Sequence, residues 1–223
     1  MKRIIITLFA LMAGINGHSQ AKVLLRPAVD KLFTGAVQQQ LGLKYPIRLV
    51  YSFSDNNGNY YLPLCESEEG LVDGDSLHYR IQAVNLKYEN GQFVKQWELN
   101  DFVLNEQDEG SIWFYTKYVK IDDIDGDGLA DPMIIYGSTG MNGRSDGRLK
   151  ILLYYKGKKV AIRHQNSEFD GARVTAVDKD FYELPEKVQR FVKGVMKRMA
   201  DDGQAIYASG WVMKMSKKMT TLQ

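Results

Sequence analysis

The sequence predicts a mainly β protein of the α+β class, with an antiparallel, meander-like sheet and a C-terminal amphipathic helix. From Tyr45 onward, alternating or aromatic runs are separated by short turns that contain Asn and Gly, a pattern typical of consecutive β-hairpins. Helical periodicity occurs near the two ends of the chain, most clearly in residues 185–202. Because no Pro-rich or low-complexity linker divides these runs, we predict a single domain over residues 21–223.

The chain begins with the pattern of a secretory signal peptide, to which we assign residues 1–20. Lys2 and Arg3 precede the apolar run 4–12, and small and polar residues follow as far as Ala21. A buried N-terminal helix is the alternative, since the apolar run is too short to span a bilayer. We therefore expect an exported protein, periplasmic or extracellular, with no transmembrane segment in the mature chain.

The charge and cysteine content narrow the classes of partner and fold. Removal of the leader takes two of the 29 Lys and Arg residues and leaves 27, against 27 Asp and Glu. Because the mature chain is formally neutral, no overall electrostatic attraction to nucleic acid is expected. Cys65 is the only cysteine, so an internal disulfide is impossible, and a buried free thiol is expected.

The first predicted element after the leader is a helix over residues 27–40. Ala28, Leu32 and Val37 lie roughly on one side of it, and Gly42 is placed to end it. Three hairpins are predicted further along, one of them around the Asn90-Gly91 pair that tight turns favour. Their paired runs are 47–53 with 59–65, 78–88 with 93–99, and 149–155 with 160–165.

Residues 123–131, which read Asp-Ile-Asp-Gly-Asp-Gly-Leu-Ala-Asp, have the spacing of a calcium-binding loop. Carboxylates stand at positions 1, 3, 5 and 9, and Gly128 at position 6 permits the sharp turn. Position 7 offers a backbone carbonyl, and position 9 binds directly or through a water. We predict a calcium site whose ligands are Asp123, Asp125, Asp127, the carbonyl of Leu129, and Asp131.

The flanks of this loop predict strands and not helices. An EF-hand has a bidentate Glu at position 12, where this chain has Ile134. Residues 111–121 are aromatic and β-branched, and residues 132–136 form a short apolar run. A D-x-D-x-D-G-x-x-D loop between two strands resembles the calcium loops of integrin-type FG-GAP repeats and similar exported β-domains, a likeness that covers roughly residues 111–137. The resemblance implies calcium and no reaction.

The predicted ion has a structural role. A compact loop fills the coordination shell by itself, and the sequence implies no further carboxylate or histidine beside it. The alternative to a metal site is an acidic, solvated turn, since Asp and Gly are common turn residues. Because the motif occurs once in the chain, a full propeller of repeated blades is not expected.

Two later segments are candidates for recognition. Residues 137–148 are glycine-rich and polar and exceed the length of a turn, so they form either a binding loop or an ordinary surface loop. Residues 185–202 predict a helix that begins at Pro185 and is followed by Gly203. We expect its apolar face to pack on the sheet, with binding to a membrane or a partner as the alternative.

The weak candidates for catalysis are His164, Asp170 and Arg173. They lie close together in the sequence, and a histidine oriented by a carboxylate is a general base, while a guanidinium holds an anion. Trp97 and Trp113 either stack on sugars or pack in the core.

Our leading hypothesis is an exported calcium-binding β-domain that acts as a binding or interaction module for a protein or glycan ligand. Two alternatives remain open. One is a periplasmic or secreted hydrolase with His164 and Asp170 in its site. The other is an accessory or inhibitor protein that grips a partner through residues 137–148 and the C-terminal helix.

Overall fold

The computed structural model describes residues 19–72, 74–104 and 108–223. The signal peptide assigned to residues 1–20 lies outside the described residues except for Ser19 and Gln20. These two residues belong to the first strand, where Ser19 is opposite Ser54.

The described part of the chain is mainly antiparallel β-structure, as the sequence predicts. Its strands, in chain order, are β1 Ser19–Val23, β2 Ile47–Asp55, β3 Gly58–Glu66, β4 Gly70–Val72, β5 Asp75–Leu77, β6 Arg80–Glu89, β7 Gln92–Phe102, β8 Ile112–Phe114, β9 Lys120–Asp122, β10 Asp131–Ser138, β11 Arg148–Tyr155, β12 Lys158–Gln165, β13 Val174–Val177 and β14 Thr221–Leu222. The α-helices are α1 Arg26–Leu32, α2 Gly35–Leu41, α3 Glu186–Asp201 and α4 Trp211–Ser216.

The strands form two meander-like sheets and a small separate hairpin. The first sheet has the order β1-β2-β3-β6-β7, and β4 pairs with β5 as the hairpin between β3 and β6. The second sheet has the order β14-β13-β12-β11-β10-β8, and β9 also pairs with β10. Most neighbours in each sheet are consecutive in sequence. Two-residue turns join β2 to β3, β6 to β7 and β11 to β12, whereas the other connections within the first and second sheets are longer.

Three hydrophobic clusters show that the two sheets and the helices are stacked in layers. One cluster joins α1 and α2 to the outer face of the first sheet, through residues such as Phe33 and Val50. A second fills the space between the sheets, where Leu62 of β3 and Ile134 of β10 are fully buried. The third joins the second sheet to α3. Alternate residues of a central strand therefore serve two different cores.

The C-terminal helix packs on the sheet as expected. Pro185 caps α3, and the buried face of the helix consists of Val188, Val192, Val195, Met196 and Met199. By contrast, the single helix predicted for residues 27–40 is wrong, because it divides at Phe33 and Thr34. The hydroxyl of Thr34 accepts a hydrogen bond from the Val37 N–H at 3.4 Å and caps a second helix. Gly42 ends that helix in the left-handed conformation.

The three predicted hairpins are present. In two of them the backbone angles of the turn explain why a glycine stands at its second position. Asn90 and Gly91 have φ values of 51° and 78°, and Lys156 and Gly157 have φ values of 49° and 76°. Positive φ at both central residues is the tight hairpin geometry that suits the twist of the flanking strands.

Residues 111–121 form two short strands and not one. β8 pairs with the end of β10, opposite Tyr136 to Ser138, whereas β9 pairs with its beginning, opposite Asp131 to Met133. A turn whose Tyr118 N–H bonds to the Tyr115 carbonyl separates the two strands. The predicted strand–loop–strand element is therefore formed by β9, residues 123–130 and β10.

Residues 137–148 are glycine-rich, yet close backbone contacts hold both ends of the segment in place. A Cβ atom built on Gly147 would lie 1.9 Å from the Ser138 carbonyl oxygen, and one on Gly137 would lie 2.4 Å from the Arg148 carbonyl oxygen. Glycine is therefore needed at both positions because two backbones approach each other.

Among the described helices, none has the length and apolar character needed to cross a membrane.

Candidate functional site

The residues of the predicted calcium loop, 123–131, hold the loop in shape through their own carboxylates. Asp123 Oδ1 accepts hydrogen bonds from the Gly126 and Asp127 N–H groups at 2.7 and 3.0 Å, and its Oδ2 accepts one from Gly128 at 2.9 Å. Asp125 Oδ1 accepts one from the Asp127 N–H at 3.1 Å. Such local acceptors are the reason that Asp favours turns over regular structure.

Three of the four loop carboxylates converge on one point. Oxygen atoms of Asp123, Asp125 and Asp131 all lie within 4.8 Å of one another. Asp131 is the first residue of β10, and the strand pairing with Asp122 fixes its position at the mouth of the loop. A cluster of this kind is able to hold a metal ion.

Asp131 is the unusual member of this group because it is only 1% exposed. Its Oδ2 accepts a hydrogen bond from the Ile124 N–H at 3.0 Å, whereas its Oδ1 is buried without a partner in the described part of the chain. Burial, reinforced by the neighbouring carboxylates of Asp125, Asp127 and Asp123, raises the pKa of Asp131 to about 7. A buried carboxylate oxygen of this kind is costly unless a donor or a cation compensates it.

Asp127 and Leu129 are placed differently from the other predicted ligands. The carboxylate of Asp127 lies outside the group of three, and its Oδ2 is 2.9 Å from Lys156 Nζ. The hydrogen bond from Lys156 holds the pKa of Asp127 below its usual range. The other oxygen of Asp127 accepts a hydrogen bond from the Leu129 N–H at 2.9 Å. The carbonyl of Leu129 stays a predicted ligand.

Neighbouring elements from both sheets brace the loop. The Tyr155 hydroxyl, at the end of β11, donates to Asp125 Oδ2 at 2.7 Å. From the first sheet, Asp55 Oδ2 accepts a hydrogen bond from the Ala130 N–H at 3.2 Å. Ile134, at the position where an EF-hand has its glutamate, is fully buried between the sheets. The loop therefore sits where the two sheets meet, and its shell has no ligand at position 12.

His164 occupies a closed polar niche. Its Nε2 lies 2.8 Å from Asn166 Oδ1 and its Nδ1 lies 2.9 Å from the Thr175 hydroxyl. Asn166 Oδ1 also accepts a hydrogen bond from the Ile206 N–H, so Nε2 carries the proton and Nδ1 accepts from Thr175. Burial lowers the pKa of His164 to about 4. Both ring nitrogens are occupied inside the protein.

In the described part of the chain no hydrogen bond or ion pair joins His164 to the other two weak candidates for catalysis. Besides burial, the charge of Arg173 contributes to lowering the pKa of His164. Asp170 is exposed and pairs with Arg173, whose Nη1 lies 3.0 Å from Asp170 Oδ1. Arg173 also donates to the backbone carbonyls of Ser167 and Glu168. Asp170 and Arg173 therefore fix a loop, and the histidine-carboxylate pair needed for a general base is not formed here.

Another histidine lies among charged groups, and sequence reasoning missed it. His78 Nε2 is 3.7 Å from Glu66 Oε2, and Arg48 Nε is 3.6 Å from the same oxygen. These side chains line an open cleft of about 960 Å³ beside the glycine-rich segment. We call it the His78 cleft and define it by Arg48, Glu66, His78, Ser111, Trp113 and Arg144.

A sequence signal for this cluster exists. The β4–β5 hairpin pairs Gly70 with Leu77, so the residues just before β4 lie next to those just after β5. The Asp73-Gly74 pair is a tight-turn motif, and it would have predicted that His78 returns beside residues 66–69.

Comparison with known proteins assigns no family. No family model matches the chain, and searches of curated proteins and of solved structures find no significant match.

Proposed function

We propose that the protein is an exported β-domain in which residues 123–131 bind Ca²⁺ as a structural brace, and that the domain works as a binding module. The leader pattern in residues 1–20 supports export. Hard oxygen ligands in a flexible loop suit Ca²⁺, and extracellular modules use calcium at the high concentrations found outside the cytoplasm.

The observation that carries this proposal is the unpartnered Oδ1 of Asp131. It is buried within a group of carboxylates in which Asp123 and Asp125 lie within 4.8 Å. Three carboxylates brought this close repel one another without a cation. A divalent ion at their centre would be coordinated by the Oδ1 of Asp131 and would offset the repulsion between the carboxylates. The residues present therefore fit the ion that the loop spacing predicts.

The brace would stabilise the junction between the two sheets. The loop contacts the β2–β3 turn through Asp55 and the end of β11 through Tyr155. Because the ion would bind only the folded loop, it stabilises the native state by mass action, by about 2.7 kcal/mol at a hundredfold excess over Kd. For a domain of this size, that corresponds to a rise of about 5–10 °C in the thermal midpoint.

Isothermal titration calorimetry and thermal unfolding test the proposal. Purified protein freed of metal with EGTA should take up Ca²⁺ with a stoichiometry near one, and its thermal midpoint should rise. Asp131→Asn should abolish both effects. The matched control is Asp122→Asn, which removes the same charge from an exposed neighbour outside the carboxylate group and should keep both effects.

The result that contradicts the calcium proposal is specific. It would be a wild-type protein that shows no heat of Ca²⁺ binding and the same thermal midpoint in EGTA and in calcium.

A further inference from the structure

The His78 cleft lies at the opposite end of the β-sandwich from residues 123–131. Arg48 is at the beginning of β2, whereas Asp55, which contacts the metal loop, is the last residue of that strand. Seven residues of extended strand separate these positions by roughly 23 Å. The cleft and the metal loop are therefore separate sites on one rigid pair of sheets.

The floor of the cleft contains the buried carboxylate of Glu66, and one of its oxygens faces the cleft. Glu66 is 5% exposed, and its Oε1 accepts a hydrogen bond from the Phe114 N–H at 3.0 Å. Its Oε2 faces Arg48 Nε at 3.6 Å and His78 Nε2 at 3.7 Å. Both distances are longer than a hydrogen bond, so this oxygen has room to accept a hydrogen bond from a ligand.

The polar groups beside Glu66 differ in how firmly they are held. His78 Nδ1 is hydrogen-bonded to the Ser67 carbonyl, and its backbone N–H donates to the Ser111 hydroxyl at 2.9 Å. The Arg48 side chain is 67% exposed and spans the rim. Because the Ser67 carbonyl can only accept, Nδ1 carries the proton of the neutral ring and Nε2 is an acceptor. The cleft therefore combines two acceptors, Glu66 Oε2 and His78 Nε2, with the guanidinium donors of Arg48 at its edge.

The other wall is aromatic. Trp113 of β8 lines the cleft and is half-buried, and the Arg144 guanidinium lies 5.5 Å from the centre of its ring. Arg144 is held in place by a hydrogen bond to Gln204 Oε1 at 3.1 Å. An indole flanked by hydrogen-bonding groups provides an apolar surface beside polar ones.

The charges of the cleft select the class of ligand. Two arginines, Arg48 and Arg144, face two glutamates, Glu66 and Glu68, so the fixed charges balance and favour neither an anion nor a cation. Hydroxyl groups both donate and accept hydrogen bonds, and they match this mixture of donors and acceptors. A volume of about 960 Å³ is at the upper end of the range for small-molecule sites.

We propose that the His78 cleft binds a neutral oligosaccharide, with a sugar ring against the wall formed by Trp113 and the Arg144 guanidinium that lies over it, and with hydroxyl groups hydrogen-bonded to Glu66, His78 and Arg48. The inference rests on the binding-module part of the proposed function and gives it a ligand class. It does not depend on calcium, since the two sites lie at opposite ends of β2.

The experiment uses an array of neutral oligosaccharides of glucose, galactose, mannose, xylose and N-acetylglucosamine, together with sulfated and uronate-containing ones. The purified protein in calcium buffer should bind at least one neutral oligosaccharide, and titration of that compound should change the tryptophan fluorescence. Trp113→Phe should remove the fluorescence change, whereas Trp97→Phe, in the crevice between the sheets, should keep it.

Arg48→Ala is the decisive variant. Its side chain is 67% exposed but lies 3.6 Å from the buried Glu66 carboxylate, so circular dichroism should first show that the variant is folded. Loss of a hydrogen bond to a charged group should weaken binding about tenfold or more. Arg190→Ala, on the exposed face of α3, is the matched control and should bind like the wild type. All variants should keep the Ca²⁺ affinity of the parent.

Three results would overturn the proposal. They are no binding to any neutral oligosaccharide, binding to acidic oligosaccharides alone, or affinity within twofold of the wild type for Arg48→Ala. Calcium titration of the same samples tells this failure apart from failure of the metal site, because Asp131→Asn should lose Ca²⁺ and still bind the sugar while folded.

Discussion

The backbone N–H of Asn56 donates a hydrogen bond to the carbonyl oxygen of Gly128 over 2.9 Å. Asn56 is in the turn between β2 and β3 of the first sheet, and Gly128 is in the loop of residues 123–131, which leads into β10 of the second. The contact is so close that a Cβ atom on Gly128 would lie 1.9 Å from Asn56 Nδ2. The glycine that the calcium-loop pattern requires is thus also one of the points where the two sheets touch.

Gly128→Ala should therefore destabilise the protein in two ways. The φ of Gly128 is +87°, which costs a residue with a side chain about 1–2 kcal/mol, and the new methyl group displaces Asn56. Gly126→Ala is the control, because its φ is +92° and its nearest neighbour, Lys187 Nζ, is 3.8 Å away. Urea unfolding should show a larger loss for Gly128→Ala, and equal losses would contradict a tight contact with Asn56.

The position of Asp127 predicts that this residue contributes less to the Ca²⁺ affinity than Asp123 does. Its carboxylate is paired with Lys156 outside the group formed by Asp123, Asp125 and Asp131. Asp127→Asn should consequently lower the Ca²⁺ affinity less than Asp123→Asn does. Loss of its partly exposed ion pair should change the free energy of unfolding by no more than about 1 kcal/mol.

Calorimetric titration with Ca²⁺ measures this difference. Equal losses of affinity in the two variants would mean that Asp127 leaves Lys156 and joins the ion, as the loop spacing in the sequence predicts.

The parts of this fold that sequence reasoning predicted are those fixed by local chemistry. Asn90-Gly91 sets its turn through positive φ values at two adjacent residues, and the metal loop closes through hydrogen bonds within residues 123–131. Division of the strands into two sheets was not predictable. β10 is buried on both faces along its whole length, so its sequence shows no alternation that would indicate which core each residue serves.

The same distinction between local and long-range contacts explains why the sequence drew attention to His164 and not to His78. His164 has polar neighbours in the sequence, yet its strand turns its ring into a niche between Thr175 and Asn166. His78 meets Glu66 only because the β4–β5 hairpin returns the chain. Proximity along the chain therefore directed attention to a histidine that is closed off from solvent, and the register of a small hairpin is the information that would have directed it to His78.

The burial of His164 predicts a pH dependence of stability. Its pKa is lowered from 6.5 to about 4 in the folded protein, so between these values the unfolded chain binds a proton that the native state does not. The contribution of His164 to the free energy of unfolding is fully present above pH 6.5. It is lost as the pH falls toward 4, and the loss amounts to about 3 kcal/mol. Because the raised pKa of Asp131 acts in the opposite direction over the same range, the contribution of His164 is the difference in slope between the wild type and His164→Gln, measured by urea unfolding from pH 7 to 4.

A His164→Gln variant with an unchanged slope would assign the acid sensitivity to carboxylates instead.

A buried ion-pair network at the other edge of the sandwich gives the last prediction. Asp101 of β7 is 8% exposed and lies 2.6 Å from Lys150 Nζ of β11, so the pair links the two sheets. Burial alone would raise the pKa of Asp101, but hydrogen bonds from Lys150 and Tyr136 lower it below its usual value. The charged carboxylate is therefore stable in the interior only while these donors remain.

Lys150→Met should cost about 2–3 kcal/mol. This is less than the 3–5 kcal/mol typical of an isolated buried charge, because Arg148 Nη1 remains 3.9 Å from Asp101. Lys158→Met removes a pair of similar length, 2.7 Å to Asp180, whose side chains are 68% and 51% exposed, and should cost at most about 1 kcal/mol. Equal losses in urea unfolding would show that burial of Asp101 does not set the strength of the link between the sheets.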